Sequence, residues 1–287
     1  MRAAWLTLRH AAALLGHARK LWFPFLVAAC CEVVLIGLLW LAPHPPYASL
    51  LAPPIAYVFG ERVLHYPWHL RFLYAMMQYT HLASATLVGA FMSGVVCVMV
   101  RQAHDGTPIS FRTVLVNRSV RYGTVLMLWL LTASFAAGAS TAAMHLLGHS
   151  GWALPVQLGV TLAVQMACLY WIPASVFEQL RWWSALRCGV RETFRHPLST
   201  AIVVLVPSAA VISFAFLASD ARVSRWMAKT EPEIVVLFIA ARLAVLTVAD
   251  AIMTVSAAQL WWVHRAPRQI SQAAETSVIG SLRVRAA

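Results

Sequence analysis

Charge is what this sequence has least of. Asp and Glu together number 10 among 287 residues, and charged side chains of both signs make up 11% of the chain. Soluble domains carry about a quarter charged residues, so a water-soluble fold is excluded. Cysteine is sparse as well: the five, Cys30, Cys31, Cys97, Cys168 and Cys188, form no CxxC pair. None falls in an expected outer loop, which excludes a disulfide framework and leaves them as small buried apolar residues. Catalytic strings are missing too. The sequence contains no P-loop, no GxGxxG after a strand, no GxSxG and no HExxH. The string HDGTPIS places His104 beside Asp105, but Gly106, Thr107 and Pro108 mark a turn before a basic helix. A non-enzymatic chain without a cofactor is the expectation.

What the sequence has in abundance is apolar surface. Hydrophobic residues make up 61%, and the mean hydropathy is +0.72. A bilayer core takes about 20 apolar residues per helix. Six runs meet that length, at 21–42, 73–100, 122–147, 153–177, 198–218 and 234–262. The predicted fold is all-α, a polytopic transmembrane bundle of six helices. Residues 1–20 form an interfacial amphipathic helix, 21–262 the six-span domain and 263–287 a cytoplasmic tail. The run after residue 20 is too long for the apolar core of a signal peptide and is read as an uncleaved first span.

Orientation follows from where the basic residues lie. Sixteen Lys and Arg flank the spans on one side, five on the other, and Arg242 falls within a span. Both termini are therefore expected in the cytoplasm, in a bacterial inner (plasma) membrane. Trp40, Trp68, Trp152 and Trp226 would mark the outer interface, and Trp22, Trp182, Trp183, Trp261 and Trp262 the inner one. The net charge of +12 then sits beside anionic lipid headgroups at the cytoplasmic face, and no nucleic-acid partner is implied.

Each odd-numbered span follows a short basic amphipathic segment: LRHAAALLGHARKLWF, SFRTVLVNRSVRYGTV and WWSALRCGVRETFRHPLS. Such segments should lie in the inner interface with the apolar face down. They divide the chain into three units, each an elbow helix plus a transmembrane hairpin. The outer segment ASLLAPPIAYVFG, broken by Pro53 and Pro54, is too short to span and suits an interfacial or re-entrant position. The stretch IPASVFEQLRWWSALRCGVRETFRHPLSTAIVVLV resembles an element of bacterial multi-span proteins. It is similar to the membrane-anchor domain found beside glycerophosphoryl diester phosphodiesterases. The resemblance covers layout and elbows, carries no catalytic motif, and implies a membrane-embedded domain without established chemistry.

Ionisable residues inside spans are functional candidates, since each costs at least about 2.5–3.5 kcal/mol at mid-bilayer. Glu32 lies near the middle of the first span and Asp250 near the middle of the sixth. Arg242 lies about two turns nearer the outer face, with His81 and Gln78 on the second span as neighbours. Thr247, Asp250 and Thr254 share one stripe of the sixth helix, continued by Ala257 and Ala258, which should face the bundle. Three arrangements stay open. Arg242 pairs with an acid as a brace; Glu32 and Asp250 meet and hold a proton or cation; or a lone acid bonds to backbone. The outer histidines His65 and His69, and His145 and His149, have the i, i+4 spacing of metal ligands. They lack a third ligand, and histidines reaching out to water are the simpler account.

These features point to a protein that moves a small solute or lipid or supports a membrane complex. A structural scaffold, with a membrane-protein partner or a second copy of the chain, is the first alternative. A membrane-embedded metal- or haem-binding protein or enzyme is the second.

Overall fold

The computed structural model describes residues 2–66, 68–117, 119–147, 152–219 and 234–285. It is 88% helical and has no strand among the described residues. Among the described residues six helices are long and apolar enough to cross a membrane: Arg19–Leu41, Trp68–His104, Tyr122–Leu147, Pro155–Phe177, Pro197–Phe214 and Ile234–Arg265. The chain is an all-α polytopic membrane protein.

The first half holds α1 (Arg2–His17), α2 (Phe23–Leu41), α3 (Ala48–Phe59), α4 (Trp68–Ser84) and α5 (Ala90–His104). A π-helical turn, Ala85–Gly89, joins α4 to α5 without a break in the span. The second half holds α6 (Phe111–Val116), α7 (Tyr122–Leu147), α8 (Ala153–Cys168), α9 (Trp171–Phe177), α10 (Trp182–Arg195), α11 (Pro197–Ser219) and α12 (Ile234–Arg285). Local chemistry sets several of these ends. Pro24 sits in the first turn of α2, where a missing N–H costs nothing. The Ser110 hydroxyl caps α6 by accepting from the Thr113 amide at 3.3 Å.

Short helices precede the first, third and fifth spans, as the three basic segments predict. Their setting differs from a simple interfacial one. Ala4, Leu8, Ala11 and Leu15 of α1 are buried, and α1 packs on α11 and α12. The apolar stripe thus faces protein rather than lipid, because the last turns of the bundle offer it a matching surface. The proline pair also behaves differently from a break, since Pro53 and Pro54 lie inside α3. That helix leaves Leu50, Tyr57 and Val58 exposed, as an interfacial segment would. At the other end of the chain, α12 does not stop with its apolar run but continues to Arg285.

Packing of the first and sixth spans positions the site. The helix α2 packs against α4, α5 and α12. Leu21 and Phe25 share one cluster with Val95, Val96, Ala251 and Val255. Small residues let α12 come close: Ala249, Ala251, Ser256, Ala257 and Ala258 are all buried. Large apolar side chains such as Val33, Val34, Leu87 and Phe135 point outward, as expected where lipid is the solvent.

The fourth span bends between α8 and α9, and α10 uses the bend. A Cβ on Gly189 would lie 2.6 Å from Trp171 Cδ1 and 3.1 Å from the Tyr170 carbonyl carbon. Only a glycine admits this approach. Gly189→Ala is expected to destabilise the protein by about 1–3 kcal/mol. Gly16→Ala in α1, where nothing lies within 4 Å, should be neutral or slightly stabilising. Thermal unfolding in detergent of the two variants checks the contrast. The turn from α9 to α10 passes through Gln179 at φ 51°, a costly value for a residue with a side chain. Its amide donates to the Val176 carbonyl at 2.9 Å and to the Ser119 carbonyl at 3.2 Å, which holds the turn in place.

Candidate functional site

The acid at the centre of the first span has a partner on the second. His81 Nδ1 lies 2.9 Å from Glu32 Oε2. The Ser84 hydroxyl reaches the same oxygen at 3.5 Å and the His81 carbonyl at 3.1 Å. His81 and Ser84 are three residues apart and so share one face of α4. The Glu32 side chain is only 4% exposed, while that of His81 is 34% exposed. Glu32 Oε1 is buried and has no hydrogen-bond partner among the described residues. The carboxyl group is thus half satisfied, with the His81 ring nitrogen on one oxygen and capacity left on the other.

Asp250 completes the arrangement from α12. It lines a cavity of about 50 Å³ together with Glu32, His81, Ser84, Leu243 and Thr247. Ala85 and Gly89 of the π turn border the same cavity. Such turns inside helices often mark functional positions. A space of this size takes a few water molecules or one small cation, and it is too small for an organic solute.

Arg242 does not brace either acid. Among the described residues it forms no ion pair within 4 Å, and its guanidinium carbon sits 6.0 Å from the centre of the Tyr74 ring, at the limit of a cation–π contact. On the polar stripe of α12, the Thr247 hydroxyl donates to the Leu243 carbonyl at 2.8 Å. Thr254 is half-buried, and Ala257 and Ala258 are buried. Gln78 lies in α4, but its side chain is outside the described residues.

His65 and His69 are not brought together as a ligand pair. His65 has extended backbone between a short 3-10 turn and α4, so it shares no helix face with His69. His69 is buried, with one ring nitrogen 3.3 Å from the Val63 carbonyl and the other 3.2 Å from the Trp40 carbonyl. Both nitrogens therefore face backbone carbonyls, and the neutral ring donates to one of them. His145 is exposed at the end of α7, and His149 lies outside the described residues.

A second polar cluster, at the end of the bundle that carries α10, has no counterpart in the sequence reading. Arg265 of α12 pairs with Glu178 at 2.9 Å, touches Cys188 Sγ at 2.7 Å and lies 3.9 Å from Glu192. Glu192, 1% exposed, also has Arg195 at 3.8 Å and His196 at 3.5 Å. Burial pushes the Glu178 carboxyl above the ordinary carboxylate range, and Arg265 offsets only part of that. Burial, with the charge of Glu178 second, pushes the Cys188 thiol up. The sequence held one signal for this cluster. Cys188, Glu192 and His196 recur every four residues and so align on one helix face.

No protein-family model, curated protein or solved structure matches the chain, so the reading of its function rests on these side chains.

Proposed function

We propose that this chain is a carrier of the bacterial inner membrane, with both termini in the cytoplasm. In this reading a proton or small cation binds at Glu32, His81 and Asp250 and crosses through them, partly on its own and partly together with a small solute or lipid. The carrying observation is the Glu32–His81 pair, 2.9 Å apart within the spans, with Asp250 on the same small cavity. Glu32 Oε2 accepts a hydrogen bond when His81 Nδ1 is protonated, and Oε1 is left to receive a proton or a cation. The cavity admits the ion and excludes an organic solute, so the solute path lies elsewhere in the bundle. The orientation is supported by the sixteen-to-five division of Lys and Arg and by the even number of spans among the described residues.

One observation favours a second reading. The Glu32–His81 contact joins α2 to α4, so it would serve equally as a brace in a scaffold protein. Reconstituted vesicles separate the two. With a pH-sensitive dye inside and an imposed potassium diffusion potential, the wild-type chain is expected to pass protons faster than protein-free vesicles. Glu32→Gln and Asp250→Asn are expected to bring that flux down to the protein-free level while keeping normal folded yield. Wild-type flux no greater than that of empty vesicles, in sodium and in potassium buffers alike, would leave only the brace.

A further inference from the structure

The cluster beside α10 carries a separate inference, independent of the intramembrane pair. We propose that Glu192, His196 and His264 form a binding site for one divalent transition-metal ion of the Zn²⁺ type. The three residues come from the last turn of α10, the junction between α10 and α11, and the end of the apolar run of α12. Their donor atoms all lie within 4.8 Å of one another. Glu192 and His196 stand four residues apart on one face, and the His196 ring stacks on the His264 ring at 3.7 Å with 24° between planes.

Two imidazoles and one carboxylate are an ordinary ligand set for zinc. Zinc–ligand bonds of about 2.0–2.2 Å require donors closer together than 4.8 Å. Rotations of the side chains supply the remaining approach, and His196, a third exposed, has room to turn. The neighbouring charges balance as they stand, two acids against Arg195 and Arg265, and turning Arg195 away tips them toward a cation. Arg265 is committed to Glu178 at 2.9 Å and only grazes Glu192 at 3.9 Å. Arg195, also distant at 3.8 Å, is 42% exposed and free to swing toward solvent. The two acids and Arg265 then sum to one negative charge before any ion arrives. Three protein ligands leave a fourth position for solvent. A bound ion would tie the third elbow helix to the last span, which makes it a staple across the α10, α11 and α12 junction.

The test uses untagged full-length protein in detergent, stripped with chelator and titrated with Zn²⁺ by calorimetry and by metal content after desalting. One equivalent is expected, together with a rise in melting temperature. Co²⁺ in place of Zn²⁺ should give the visible absorption of a low-coordinate site. Glu192→Gln, His196→Asn and His264→Asn should each weaken binding by at least about tenfold. Since Glu192→Gln disturbs a buried group, His264→Asn is the decisive variant if the other misfolds. Failure of the wild-type chain to retain metal would overturn the proposal. So would metal that persists in His264→Asn and is lost on changing His65 and His145 instead.

Discussion

Glu192→Ala is expected to lower the unfolding free energy by about 3–4 kcal/mol, the largest effect of any single change near α10. The carboxylate is 1% exposed and faces Arg195, His196 and Arg265. Breaking a fully buried charge pair typically costs about 3–5 kcal/mol, and here Arg195 and His196 are partly exposed while Arg265 keeps a second acid. The lower part of that range applies because each contact is 3.5 Å or longer and Arg265 keeps Glu178 at 2.9 Å. Glu192→Gln retains the volume and hydrogen-bonding capacity and should cost less, about 1–3 kcal/mol. Denaturant or thermal unfolding in metal-free detergent buffer measures both. Equal stability of wild type and Glu192→Ala would mean that α10 is held by apolar packing alone.

His81→Ala is the second large effect. It removes the only basic side chain within 4 Å of Glu32 among the described residues. What remains for Oε2 is the Ser84 hydroxyl at 3.5 Å. A loss of about 3 kcal/mol is expected, at the lower end for a broken buried pair. Most of that loss should return when Glu32→Gln is added, since the variant acid no longer carries a charge needing compensation. A double-mutant cycle on folded stability reads this coupling directly. Additive losses would show that the two side chains do not act as a unit.

The two sites differ in how far the sequence disclosed them. Spans were legible because bilayer thickness fixes helix length: the apolar run beginning at residue 122 and the helix Tyr122–Leu147 coincide. The polar residues of the middle were legible as well, since an acid such as Glu32 in an apolar run is costly wherever it points. Its partner was not. Arg242 and Asp250 lie as near in depth as His81, and the choice depends on which face of α4 meets α2. The rotation of α4 past Ser84, with the π turn that follows, is a property of packing and leaves no periodic trace. Glu192 and Arg265 were legible only as charges near span ends. That α10 folds under the bundle depends on Gly189 fitting the bend at Tyr170 and Trp171, a contact between segments distant from each other in space until the helices pack. The proline pair of α3 misleads for a local reason: proline weakens a helix by one hydrogen bond, and neighbouring turns can carry the helix through.

The central claim is that the cluster of Glu32, His81 and Asp250 takes up and releases a proton within the membrane. Infrared difference spectra between acid and alkaline buffer, on the reconstituted full-length chain, test it most directly. A protonated-carboxyl band is expected that disappears or shifts in Glu32→Gln and in Asp250→Asn, and that moves along the pH axis in His81→Ala. Spectra that superimpose for the wild type and all three variants would contradict it.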